Sequence, residues 1–460
     1  MAQLFGAGSN SHGQLGTSRE GEEDLHGFGN THRWTAEHLQ PDQPVSSSIG
    51  GRHALFLLHH PTHPEIYLCG DNGQGQLGPA APSTASTPSS PSADKPNSTS
   101  TMQKLDYKLL VSSTVNIDQK LKDLLILKYR PTQVQACWET SFVVLSPSFD
   151  GPDRASPPSD GEEEEEEIGY DDHILAFGSN NFGLRGATKE EDLPADPRMP
   201  NLVDQPPVFG RSGSIKRRIK LYGGCQHLVA VVECGGSGGP IKLVGWGAAR
   251  HGQLAGLGTP DGRPARTLAP TVLPITIPRG IPPAAIKVAL GNQHSVVVCP
   301  AEIWCWGSNR NAQIPAALSQ LPPAHILELQ ASWNATFVIL SQLPGNPTHN
   351  RLLGFGSNSH GQLDAGLPDP PAHSTTLDRQ IPALFSNLVA GSEHLLLANR
   401  LHPLQIWGWG WNEHGNLGKP PGQELQQSRT FTHLFSLPAG SKLLTLDAGC
   451  ATSFIICSSP

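Results

Sequence analysis

The 460-residue chain is 37% hydrophobic, only 16% charged and carries a net charge of −8, a length that admits one large core or two or three ordinary domains. No apolar run approaches the ~18 residues that cross a bilayer, and the opening Met1 to Gly13 lacks a charged stretch leading into an apolar one, so the expectation is a soluble protein of the cytoplasm, with the nucleus as a second location. Between Asp150 and Asp172 eleven acids face one base, Arg154, which leaves the rest of the chain at about +2 and excludes a broad basic stripe for nucleic acid.

Gly 49 and Pro 42 disfavour long helices and suit short strands joined by turns. In chain order, Phe5 to Gly16 runs from an apolar strand into the turn GSNSHGQLG, and Gly50 then opens GGRHALFLL. The alternation continues with LCGDNGQGQLG at Leu68, CWETSFVVL at Cys137, AFGSNNFGLRG at Ala176 and GCQHLVAVV at Gly224. It goes on through GWGAARHGQLA at Gly245, GNQHSVVVC at Gly291, CWGSNRNAQIP at Cys305 and SWNATFVIL at Ser332. GFGSNSHGQLD at Gly354, GSEHLLLAN at Gly391, GWGWNEHGNLG at Gly408 and GCATSFIIC at Gly449 complete it. Seven copies of an aromatic-Gly-x-Asn-x-x-Gly-Gln-Leu signature thus alternate with seven of Gly-x-x-His followed by apolar residues. That regularity predicts an all-β, seven-bladed β-propeller as a single domain over 1–460. The chain opens on one signature and closes on the other, so the N- and C-terminal strands are expected to pair within one blade and leave no open edge.

The excess between repeats marks insertions. Residues 79–104, rich in Ser, Pro and Thr, and 147–172, ending in the acidic run Glu162 to Glu167, are too poor in large apolar side chains to fold and are expected to be disordered loops. Asp106 to Arg130 fits a short helix or a further strand, and the spacing does not choose. The eight cysteines include no Cys-x-x-Cys pair and read as reduced core residues. Lys216, Arg217, Arg218 and Lys220 form the one basic cluster, read as a solvated strand edge or a contact for an acidic partner.

The two alternating signatures resemble those of the Regulator of Chromosome Condensation family, over nearly the whole chain outside the insertions. The resemblance implies a seven-bladed propeller. Within it, LCGDNGQGQLG, ACWETSFVV, VAGSEHLLL, WGWGWNEHGNLG and AGCATSFII are most similar to the fungal alpha-tubulin suppressor, or killer-toxin-insensitivity, propellers. That finer resemblance implies a heterodimer with the small zinc-binding, iron-carrying protein of diphthamide synthesis. It also implies support of diphthamide formation on elongation factor 2 and of Elongator-dependent wobble-uridine modification of transfer RNA, with the Elongator complex as a further partner.

Comparing the seven copies separates what the scaffold needs from what single blades add. Trp246, Trp306, Trp409, Phe177 and Phe355 share one slot and read as wedges between blades. Trp411 stands where other copies carry Ser, Asp or Ala, and Trp138 and Trp333 stand where others carry Gly, Cys, Asn or Ser. Large rings in loops that otherwise hold small residues are candidate interface anchors, with Glu139, Glu393, His394, Glu413 and His414 as their polar surround. His53, His227, His294 and His394 recur at one slot, too far apart on a ring to share one ion, and read as hydrogen-bonding groups. Gly73, Gly75 and Gly78 match a dinucleotide fingerprint only formally, because a proline follows and no helix opens. No nucleophile-and-base motif occurs, so no catalytic residue, metal or cofactor is assigned. The leading expectation is a non-enzymatic scaffold. The alternative is guanine-nucleotide exchange on a small Ran-type GTPase, with no direct nucleic-acid or membrane partner in either case.

Overall fold

The computed structural model describes residues 1–459 apart from 18–23, 35–43, 61–62, 80–97, 149–170, 188, 205–216, 236–237, 259–262, 342–347, 364–375, 401–402 and 419–426. Seven antiparallel sheets follow one another around a common axis. The seventh blade is shared by the chain ends, β1 (Ala2–Gly8) and β2 (Leu25–Trp34) with β26 (Leu443–Ala448) and β27 (Thr452–Ser458). Blade one holds β3 (Val45–Ile49), β4 (His53–Leu58), β5 (Glu65–Asp71) and β6 (Ser98–Leu105). Blade two holds β7 (Tyr129–Ala136), β8 (Thr140–Pro147), β9 (His173–Gly178) and the short β10 (Asn201–Leu202). Blade three holds β11 (Arg217–Gly223), β12 (His227–Cys234), β13 (Ile241–Ala248) and β14 (Thr267–Val272). Blade four has three strands, β15 (Lys287–Leu290), β16 (His294–Cys299) and β17 (Glu302–Gly307). Blade five holds β18 (Ile326–Ala331), β19 (Ala335–Leu340), β20 (His349–Gly356) and β21 (Thr376–Pro382). Blade six holds β22 (Phe385–Ala390), β23 (His394–Asn399), β24 (Gln405–Trp411) and β25 (Gln427–Ser436).

The expected closure is present. β1 pairs with β27 over its whole length, from Ala2 opposite Ser458 to Gly8 opposite Thr452. The same register recurs in every blade, where the anchor glycine of the first signature faces the His slot of the second, as Gly70 faces His53 and Gly410 faces His394. Gly307 shows why glycine is required there. Its φ is +106, and a Cβ would lie 2.2 Å from the carbonyl oxygen of Gln293 on the neighbouring strand, a contact no side chain survives. The close approach at this anchor glycine is therefore within one sheet. This register also puts both signature turns of every blade at the same end of the ring, here called the signature face.

The signature turn uses the side chain of its asparagine. Among the described residues the Asn is not left-handed. Its carboxamide oxygen accepts the backbone N–H five residues on, as from Leu77 to Asn72 (2.9 Å) and from Leu417 to Asn412 (2.8 Å). The glycine three residues later carries the positive φ, +79 at Gly75 and +77 at Gly415.

The undecided stretch is helical. α1 (Tyr107–Ser112) starts at Asp106, whose carboxylate caps Lys108 and Leu109, and α2 (Gln119–Lys128) starts at Asp118, which accepts from Leu121. Asp at each N-cap satisfies amides that have no helical partner, and Leu110, Val111 and Leu125 are buried against blades one and two. The insertions are narrower than expected. Residues 80–97 and 149–170 lie outside the described residues. Ser98 to Lys104, however, belong to β6 and Pro147 ends β8. Asp171 and Asp172 are held by Arg217 and Arg218, the latter pair at 2.9 Å. Two members of the basic cluster are thus paired with the chain's own acids, while Lys216 lies outside the described residues. No described helix is long and apolar enough to cross a membrane, and all eight cysteines are unpaired thiols.

Candidate functional site

What the scaffold consumes can be subtracted first. Each recurrent histidine is fully buried and joins its blade to the next. His53 Nε2 lies 2.9 Å from Ser141 Oγ, which donates to the Gln76 carbonyl (2.6 Å). His227, Ser295 and Gln253 repeat the relay, as do His394, Ser453 and Asn416, and His294 meets Thr336 at 3.1 Å. Because the serine gives its proton to a carbonyl, the imidazole must donate from Nε2. It is neutral, in keeping with burial that depresses these histidines to about 4, or to about 3 at His227.

The three junctions without a histidine bond the same carbonyl in another way. Trp246 Nε1 donates to Leu184 (2.8 Å), Trp409 Nε1 to Gln362 (2.8 Å) and the Cys69 thiol to Gln14 (3.2 Å). Trp246, Trp409, Phe177 and Phe355 are buried wedges, as expected. Trp306 is half-buried, because in blade four α3 (Ala316–Ser319) follows β17 where other blades add an outer strand. His394 therefore belongs to the scaffold, and its complete burial removes it from any docking surface.

The remaining candidates gather on the signature face. Trp138 and Trp333 come from blades two and five, yet their ring centroids are 5.7 Å apart, so the two indoles meet over one mouth of the hub. They stand in a ring of backbone bonds: Gly51 N–H donates to Trp138, Trp138 to Cys225, Asn292 to Trp333, and Trp333 to Ser392, at 2.9–3.1 Å. A Cβ on Gly51 would lie 2.9 Å from the Trp138 ring, so the small residue in that slot makes room for the large one.

From Trp333 the run continues outward. Asn334 Nδ2 donates to Glu393 (3.3 Å), Gln362 donates to the other carboxylate oxygen, and the Trp411 N–H bonds the Glu393 carbonyl (2.9 Å). Glu393 is only 6% exposed, and burial lifts its carboxyl to about 7 against those two donors. Its carboxylate ties the neighbour of Trp333 to Gln362 while its backbone carbonyl takes Trp411, and it is not itself rim. Trp411 is half-buried. Its indole donates to the exposed Glu413 (3.2 Å), with His360 and His414 rings 5.8 and 5.2 Å away, and His414 bonds Asp24 (2.7 Å). Glu139 adjoins Trp138, but through its carbonyl it serves the blade-two register, accepting from Ser179 (2.9 Å).

Asn334, His360, Gln362 and Asp24 were missed from sequence. Gln362 was concealed because the same glutamine closes the turn in other blades: there, as here, its Oε1 takes the N–H two residues back. Only the spare amide of Gln362 reaches Glu393. Among the described residues no group of three or more His, Cys, Asp or Glu side chains is placed to hold a metal ion.

No model of a known protein family matches the chain. It is similar to mouse RCC1 domain-containing protein 1, 28% identical over 258 residues, covering 55% of this chain and 60% of that protein. It is also similar to the bovine secretion-regulating guanine nucleotide exchange factor, 23% identical over 315 residues, 62% of this chain and 61% of that one. Among solved structures, yeast Prp20p superposes with a TM-score of 0.65 over all of this chain and 92% of its own, at 16% identity. The chain has the fold of an RCC1-like propeller. It spans about 60% of the length of these curated relatives.

Proposed function

We propose that this RCC1-like propeller is a non-enzymatic docking protein whose signature face holds a small globular protein. The observation that carries the reading is the continuous run Trp138, Trp333, Glu393, Trp411. Its three large rings do no work that other blades require and they are half-buried; Trp138 and Trp333 lie against each other, and the Trp411 indole bonds the exposed Glu413. Rigid aromatic anchors with a polar rim are the composition of protein interfaces.

For the partner, the comparisons favour a small GTPase of the Ran type with guanine-nucleotide exchange as the outcome. One relative is named for exchange activity, and the Prp20p structure is described with its binding to Gsp1p and histones. A second reading rests on a different observation. Trp411 lies in WGWGWNEHGNLG, the segment most similar to the alpha-tubulin suppressor propellers, which favours the small metal-carrying protein of diphthamide synthesis, with Elongator-linked transfer RNA modification downstream. The cytoplasm suits both readings and the nucleus the first.

One experiment separates them. Release of a fluorescent guanine nucleotide from the GTPase is followed with the native chain and with Trp333→Ala and Trp411→Ala. In parallel, each is assayed for capture of the purified metal-carrying protein. Accelerated release lost in both variants supports exchange; capture lost in both, without accelerated release, supports the second reading. Full activity in both variants refutes the assignment of the face.

A further inference from the structure

The hub provides a second, separate surface. The seven inner strands β3, β7, β11, β15, β18, β22 and β26 each sit at a sheet edge, and together they wall a cavity of about 460 Å³ on the axis. Their outward-turned N–H and C=O groups have no neighbouring strand in the sheet. At the signature end the Trp138 and Trp333 rings narrow the mouth, so access is from the opposite face.

Four residues before each Gly-x-x-His turn, the inner strands carry a ring of seven equivalent positions, and three of these clamp the next blade. The Gln133 carboxamide both accepts from and donates to the Leu221 backbone, the former bond at 2.9 Å. Glu328 accepts from Asn387 (2.7 Å) and Leu388 (2.5 Å), and the Thr445 hydroxyl donates to the Val45 carbonyl. On the two consecutive blades three and four the same position is Lys220 and Lys287. Among the described residues neither ammonium makes an ion pair within 4.0 Å or a clamp to a neighbouring strand; Lys220 lies 5.2 Å over the ring of its own Tyr222, and Lys287 acts on the Glu328 carboxylate only through its charge. The carboxylates on the wall are already committed, Glu328 to two amides and Asp447 to Ser47 (2.8 Å) and Ala448 (2.9 Å). Lysine on a sheet edge commonly guards against pairing with another chain. An edge facing the inside of a closed ring needs no such guard.

We propose that the hub binds a short, extended acidic peptide segment of a partner, entering from the face opposite the tryptophans. Its carboxylates pair with Lys220 and Lys287 and its main chain bonds those inner-strand edge groups that no clamp occupies, the mode by which strands add to sheets. The cavity volume suits about three or four extended residues and excludes a folded domain. Leu327 of blade five, 46% exposed on the same wall, offers an apolar contact beside the charges. The chain's net charge of −8 opposes adventitious attraction of a polyacid, so binding would report a local site.

The test uses the full chain and fluorescein-labelled tetraglutamate, followed by fluorescence polarisation. Saturable binding that weakens with salt is expected, with affinity reduced about tenfold or more in Lys220→Gln/Lys287→Gln. It should be unchanged in Lys242→Gln, a lysine of β13, and in Trp411→Ala, which separates this surface from the signature face. Equal binding by the double variant overturns the proposal, and so does displacement of the peptide by equimolar pyrophosphate, which would mark a site for small anions. An unchanged thermal unfolding midpoint in the double variant shows that the loss is local.

Discussion

Glu393→Gln tests whether the carboxyl that joins Asn334 to Gln362 is buried and protonated. In the native chain this group keeps its proton to about pH 7, against 4.5 for an exposed glutamate, because burial opposes the charge. The folded state therefore holds a proton that the unfolded state has released. The stabilisation is complete below about pH 4.5 and is lost as pH rises through about 7. Integrated between pH 5 and pH 8, the loss is about 2 to 3 kcal/mol. Glutamine cannot ionise, so other titrating groups cancel in the comparison. Urea unfolding of both proteins at pH 5 and pH 8 should show the native chain losing about 2 to 3 kcal/mol relative to the variant. A difference that stays flat across that interval would mean that Glu393 is ionised and solvated throughout, and the account of the run from Trp333 to Trp411 would fail.

Gly291→Ala should cost about 3 kcal/mol in urea unfolding, because the new methyl would stand 2.1 Å from the His294 ring. Ser332→Ala, at the same slot in a blade without the histidine, should be close to neutral, since that buried hydroxyl has no hydrogen-bond partner. Trp246→Phe keeps the wedge but strands the Leu184 carbonyl, and a loss of about 1–3 kcal/mol is expected. If it unfolds like the native chain, the three junctions without histidine are not held by the bonds assigned to them.

The ring, its count of blades and its closure were legible because the repeat is periodic, and periodicity survives any single substitution. The pairing of Gly with His within a turn was legible too. Where His gives way to Thr140 or Ala335, Cys137 or Ser332 replaces the glycine, as the room for an imidazole requires. Features that depend on a side chain meeting another blade were not legible. Glu393 could be singled out as unusual, but its bonds to Asn334 and Gln362 join residues 59 and 31 positions away, and Gln362 looks like scaffold. His394 was misjudged because a loop position suggested exposure, whereas its ring points into the blade junction. Asp171 and Asp172 belong by composition to an acidic insertion, yet their partners lie 46 residues on, beyond any local pattern. The helices of 107–128 rest on two aspartate caps that apolar spacing alone does not reveal.

The seventh blade has a kinetic meaning. β1 and β2 are made before the other six blades, but their inner neighbours come after them, and Gln3 waits for Ser459, 456 positions later. Six blades can assemble while the chain is still growing; the seventh is a seam that cannot be sewn before β27 is made. The slow step of maturation should be this last stitch, and until it is made the naked rim of β1 is where a chaperone would be needed most.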